Sequence, residues 1–260
     1  MLKGVKHVIM KKVKSLVFLL SLCMILLSCT DKKPVSQAQA ASVQQEDSVP
    51  VKKVDSVKVA KKTPLTYKIL VPFNYRLCNP DTIINRNWVE LYKDGKDYYV
   101  GKARYGIEMR EDACSSTIPT YLAEKRNTIL FVNQLPIKKG KVKIADVAFS
   151  DSTYLEPGSV RNFTFAGKHY KLEAKAQGES QLKNYTLLLN GERIVREARV
   201  DAASFALLFA GDLDGDGKLD LVLSLPLHYE NLRVVLFLSS CAPPGLQIGK
   251  AAEIVDDFSC

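Results

Sequence analysis

The chain has 260 residues, 47% of them hydrophobic and 25% charged, proportions that exclude a disordered polymer, a collagen-like chain and a bundle of membrane spans. Its formal net charge of +9 is unevenly placed: residues 1–28 carry five lysines and no acid, residues 29–63 a net three more positive charges, and about +1 is left for the remainder. A near-neutral folded part without a basic stripe has no electrostatic footprint for a phosphate backbone, so no nucleic-acid partner is expected.

Lys3, Lys6, Lys11, Lys12 and Lys14 precede an apolar run over residues 16–27, LVFLLSLCMILL. A helix of that length rises only about 18 Å, short of a hydrocarbon core of about 30 Å. The run is therefore read as a signal-peptide core and not as a membrane anchor. It ends in Leu26-Leu27-Ser28-Cys29, which resembles the lipobox of bacterial lipoproteins. The resemblance implies a signal peptide over residues 1–28, cleavage before Cys29, a diacylglycerol on the Cys29 thiol and an acyl chain on the new amino group. It also implies attachment to a membrane through that lipid, in the cell envelope of a two-membrane bacterium, with the outer membrane as the expected location. Residues 29–62 are rich in Ser, Gln, Ala, Val and Lys and hold no aromatic residue. They read as a flexible tether, whose coil would reach roughly 30 Å.

From residue 63 the texture changes to short alternating or β-branched runs punctuated by Gly, Asn and Asp, the pattern of strands and hairpins. Residues 88–93, Asp94-Gly95 and 97–102 predict one hairpin; residues 186–189, Asn190-Gly191 and 193–200 predict another. Further strands are expected over residues 65–71, 128–132, 142–149, 160–165, 169–174, 205–209, 219–225, 233–238 and 247–255. About a dozen strands at this spacing indicate an all-β sandwich or barrel-like domain over residues 63–260. A division near residues 136–141 is the alternative to a single domain.

Besides Cys23 and Cys29 the chain has Cys78, Cys114, Cys241 and Cys260. An exported protein meets an oxidising compartment, where four thiols allow three pairings; the sequence-local one joins Cys78 to Cys114 and Cys241 to Cys260. No two of these cysteines are close enough in sequence to suggest zinc.

Residues 211–221 read Gly-Asp-Leu-Asp-Gly-Asp-Gly-Lys-Leu-Asp-Leu. Asp212, Asp214, Asp216 and Asp220 occupy loop positions one, three, five and nine, and carboxylates this dense repel one another unless a cation neutralises them. A hard divalent ion taking six to eight oxygens is the natural solution, with the Lys218 carbonyl at position seven. Calcium suits so many protein oxygens better than magnesium. Helix-loop-helix sites expect a bidentate Glu at position twelve, where this chain has Leu223, and the flanks are strand-like. The segment resembles the calcium loops of FG-GAP and VCBS repeats, which implies Asp212, Asp214, Asp216 and Asp220 as ligands together with the Lys218 carbonyl. The resemblance covers residues 205–225 and is not repeated, so it does not imply a propeller.

Only His169 and His228 follow the signal, and neither a Gly-x-Ser-x-Gly nor a His-Glu-x-x-His arrangement is present. A carboxylate pair such as Glu108 with Glu111 or Asp112 is the remaining route to glycoside hydrolysis. Trp88, Tyr92, Tyr98, Tyr99 and Tyr105 are expected chiefly in the core, with a sugar or peptide platform as the alternative. No organic cofactor is implied. The sequence thus points to an envelope-anchored lipoprotein whose calcium-stabilised β domain is a binding or structural module for a glycan or protein ligand. The alternative is an envelope hydrolase of glycans or peptides with a supporting calcium site.

Overall fold

Runs of five to ten strand-forming residues dominate the computed structural model, which describes residues 67–111, 119–147, 154–179, 181–201 and 204–258. The signal sequence, Cys29, the whole tether, Cys114 and Cys260 lie outside the described residues. In chain order the strands are β1 (Ile69–Leu70), β2 (Phe73–Tyr75), β3 (Val89–Asp94), β4 (Asp97–Lys102), β5 (Tyr105–Met109), β6 (Thr120–Glu124), β7 (Asn127–Val132) and β8 (Gly140–Ile144). There follow β9 (Val160–Phe165), β10 (Lys168–Gln177), β11 (Gln181–Leu189), β12 (Glu192–Asp201), β13 (Ala206–Asp212), β14 (Asp220–Ser224), β15 (Asn231–Leu238) and β16 (Gly249–Asp257). The fold is all-β. Helical residues among those described are confined to 3₁₀ turns at Pro80–Thr82 and Ser239–Cys241.

Nine strands form one antiparallel sheet in the order β1-β7-β3-β4-β8-β13-β14-β15-β16. Its edge strands β1 and β16 approach each other, so the sheet is a nearly closed barrel. A four-stranded meander, β12-β11-β10-β9, packs as a sandwich layer on one flank, and β2-β6-β5 make a third small sheet. β8 pairs with β4 on one side and with β13 on the other. Residues on both sides of the 136–141 segment therefore share one sheet.

Two cores follow from this arrangement. Inside the barrel lie Ile69, Trp88, Leu91, Phe131, Phe209, Val222, Leu236 and Ile254. Between barrel and meander lie Phe163, Tyr170, Leu172, Leu187, Phe205, Leu207, Leu221, Leu223, Val235 and Phe237. The period of two sends Leu221 and Leu223 to one core and Val222 to the other, which explains why the middle three residues of β14 are all apolar. A register shift between Leu207 and Phe209 divides these two residues between the two cores. Each large side chain so buried contributes about 1.5–3 kcal/mol.

Both expected hairpins form. In β11–β12, Leu189 faces Glu192 across Asn190 (φ 50°) and Gly191 (φ 86°), the two positive angles of a type I′ turn. In β3–β4 the closing pair is Asp94 with Asp97, so the turn is Gly95-Lys96, one residue later than expected, with the positive φ at Gly95 alone. β2, β5 and β6 were not anticipated. β2 is only three residues long, and β5 shows no buried-exposed alternation, so neither carries a period-two signal.

A polar cluster also lies in the barrel wall. Glu90 is wholly buried. Its carboxylate accepts from the Arg104 amide (2.9 Å), from Arg126 Nε (2.8 Å) and, on its other oxygen, from Thr128 Oγ1 (2.5 Å). The Arg126 guanidinium lies 3.7 Å from the centroid of the Tyr92 ring.

Candidate metal centre

β13 ends at Asp212 and β14 begins at Asp220, with Gly211 directly opposite Asp220, so the acidic loop closes a hairpin between two strands. Its ends are pinned by burial: Leu213 enters the barrel core and Leu219 the inter-sheet core. Gly215 (φ 81°) and Gly217 (φ 79°) take conformations other residues resist. The Lys138 side chain packs where a Cβ on Gly215 would sit, while the Lys138 amide donates to the Leu213 carbonyl (2.8 Å).

Carboxylate oxygens of Asp212, Asp214 and Asp216 lie within 4.8 Å of one another. Each carboxylate also fastens the turn. Asp212 accepts from the amides of Gly215 (2.6 Å) and Gly217 (3.1 Å), Asp214 from that of Asp216 (3.2 Å), and Asp216 from that of Lys218 (2.8 Å). Burial tends to raise the Asp216 carboxyl, but the Ser239 hydroxyl (2.8 Å), the Lys218 amide and the Lys218 charge outweigh it and hold the group below its ordinary range. The second oxygen of Asp214, Oδ2, is buried and has no hydrogen-bond partner. An oxygen-seeking cation between the three carboxylates would relieve their repulsion, so the donor set suits a hard divalent cation.

Asp220, expected as the position-nine ligand, is bonded to backbone amides. It is wholly buried, and both its oxygens are taken by backbone: Oδ2 by the amides of Leu213 (2.6 Å) and Asp214 (3.4 Å), Oδ1 by that of Ser239 (2.8 Å). Burial pushes its carboxyl up to about 7 against the pull of those amides. Asp220 thus ties the start of the loop to the turn that follows β15, which sequence spacing alone does not reveal. Lys218 is exposed at the loop tip, with its ammonium 3.8 Å from Asp216.

Most other candidates are built into the scaffold. Trp88 and Tyr98 are buried, Tyr92 stacks on Tyr99, and Tyr105 meets Phe131 edge-on. Glu108 is paired with Arg110 at 2.9 Å, Glu111 is exposed, and Asp112 lies outside the described residues. His228 sits in the connection at the far end of β14 from the acidic loop, 3.3 Å from Asp257. His169 is on β10 beside a cleft that adjoins the loop.

Among the described residues Cys78 and Cys241 form no disulfide. Burial, and then the charge of Asp256, push the Cys78 thiol up to about 12, whereas Cys241 is exposed. The Cys241 carbonyl packs against Gly249, at the start of β16. Asp257, at the other end of that nine-residue strand, is about 27 Å away. Cys260 follows it by three residues, at most about 10 Å of chain. We therefore expect non-reducing peptide mapping to find Cys241 unpaired with Cys260; a mapped bridge between them would contradict the position of β16.

No family model matches the sequence, and no curated protein or solved structure matches it either.

Proposed function

We propose that the chain is an envelope lipoprotein, held to the membrane by a lipid on Cys29, whose β domain is a non-enzymatic binding or structural module stiffened by one calcium ion. Asp212, Asp214 and Asp216 supply the first ligands, with the Lys218 carbonyl completing the chelating loop. Asp220 acts as the strut that holds the loop in place. The reading is carried by three carboxylates with oxygens within 4.8 Å of one another, one of which, Asp214, has a buried oxygen without a partner. A bound ion supplies charge neutralisation and a cross-link across the hairpin tip. The role is structural because these carboxylates, once used as ligands, are not available as acid or base.

The two halves of the proposal are tested separately. Cys29→Ser should release the chain from the membrane fraction, and unchanged membrane association would remove the anchor. Flow dialysis with radioactive calcium should give one ion per chain, lost in Asp214→Ala; equal binding by that variant would remove the site.

A further inference from the structure

Four chain connections converge at one end of the molecule. They are the β9–β10 turn at Ala166-Gly167, the β11–β12 turn at Asn190-Gly191, the acidic loop between β13 and β14, and the β15–β16 connection over residues 239–248. Between them is a cleft of about 450 Å³, which shares His169, Tyr170 and Asn190 in its lining with a second of about 400 Å³. Both volumes are in the range of small-ligand sites.

The walls are held in place by the protein's own bonds. Asn190 donates to Gln247 Oε1 (3.1 Å) and accepts from the Lys171 amide (2.8 Å), while Glu192 accepts from the Gln247 amide (3.0 Å). The segment from Ala242 to Ile248 is thereby tied to the meander. Its other end is tied to the acidic loop, because Ser239 donates its hydroxyl to Asp216 and its amide to Asp220.

The lining is cationic and rich in hydrogen-bonding groups. Lys168 and Lys218 border the larger lobe, which no carboxylate lines, and Asp146 is the one acid in the smaller lobe. Lys168 and His169 make no ion pair or side-chain hydrogen bond with the described residues and are exposed. Asn162 and Thr164 face the smaller lobe from β9, across from Lys171 and His169 on β10. The Phe163 and Tyr170 rings are stacked and buried, so no broad aromatic face is offered to an apolar ligand. Amides, hydroxyls and imidazole suit a polyhydroxyl ligand, and the Lys168 ammonium, which has no ion pair among the described residues, together with Lys218, whose ammonium lies 3.8 Å from Asp216, suits an anionic substituent.

We propose that this cleft binds an acidic saccharide, its carboxylate or phosphate held by Lys168 and Lys218 and its hydroxyls by the polar groups of the smaller lobe, with the ion-loaded loop setting the wall through Ser239. The proposal rests on the calcium-stabilised binding module argued above and names its ligand class.

The test is calorimetric titration of the full chain in millimolar calcium with sialyllactose, glucose 6-phosphate and the neutral sugars lactose and glucose. At least one acidic sugar should bind about tenfold more tightly than its neutral counterpart, the scale of one charge-assisted contact. Sialyllactose alone identifies a carboxylate ligand, and glucose 6-phosphate alone a phosphate. Lys168→Glu, a change at the exposed first residue of β10, should abolish binding while melting like the parent, and chelator should weaken it. Absence of binding by both acidic sugars, or parent-like binding by Lys168→Glu, overturns the cleft assignment. Inorganic phosphate displacing either sugar at equal strength overturns the saccharide part. Thermal unfolding of the same samples separates the two readings. A calcium-dependent shift without sugar binding leaves the metal centre standing and removes the cleft, whereas calcium-independent sugar binding keeps the cleft and removes its coupling to the loop.

Discussion

Replacing Glu90 by Ala is expected to cost about 3–5 kcal/mol in urea unfolding, the range for breaking a buried ion pair from one side. Glu90 is wholly buried and serves the Arg104 amide, the Arg126 guanidinium and the Thr128 hydroxyl together. Its loss leaves all three donors without their acceptor and leaves a guanidinium in a largely buried position. Such a cost is a large share of a typical domain's stability of about 5–15 kcal/mol. Arg126→Lys should recover part of the ion pair but not the stacking on Tyr92, since an ammonium has no planar face. A loss under about 1 kcal/mol for Glu90→Ala would show that the cluster is not closed as described.

The second large effect concerns Asp220, which should behave unlike its three neighbours in the loop. Asp220→Ala strips acceptors from the Leu213 and Ser239 amides, both on buried residues, at on the order of 2–6 kcal/mol for two unsatisfied donors. That loss should appear in chelator as fully as in calcium, because it does not depend on an ion. Asp214→Ala removes one carboxylate from a crowded acidic turn and should change stability in chelator by no more than about 0.5 kcal/mol. Urea unfolding of both variants in chelator is the check, and equal losses would mean that Asp220 is simply a fourth loop ligand.

The all-β class was legible because hairpin signals are local. Asn190-Gly191 supplies the angles of its turn, and β9 carries its own apolar alternation. The acidic loop was legible for the same reason, since its carboxylates, glycines and flanking strands lie within about twenty consecutive residues. What the sequence hid depends on contacts distant along the chain. The pairing of β2 with β6 joins residues such as Phe73 and Leu122, and β2, at three residues, is too short to announce itself. The Glu90 cluster draws on residues up to 38 positions away, so a buried Glu on β3 reads in sequence as an ordinary surface position.

Asp220 shows the same limit inside a motif. Its spacing marks it as a position-nine ligand, yet Ser239, 19 residues later, takes one of its oxygens. The partner that gives it this structural role lies beyond the motif. The cleft was hidden likewise, because its lining comes from four connections that only the sandwich of meander on barrel brings to one end.

The central claim, that the acidic loop holds calcium as part of the fold, is tested most directly by thermal unfolding of the full chain in millimolar calcium and in chelator, beside Asp214→Ala and Asp216→Ala. A ligand that binds only the folded state stabilises it by mass action, by about 2.7 kcal/mol at a hundredfold excess over its dissociation constant. The account predicts a higher melting temperature in calcium and no such rise in either variant. Identical melting in calcium and chelator, with both variants melting like the parent, would contradict it and leave the loop an acidic turn fastened by its own backbone.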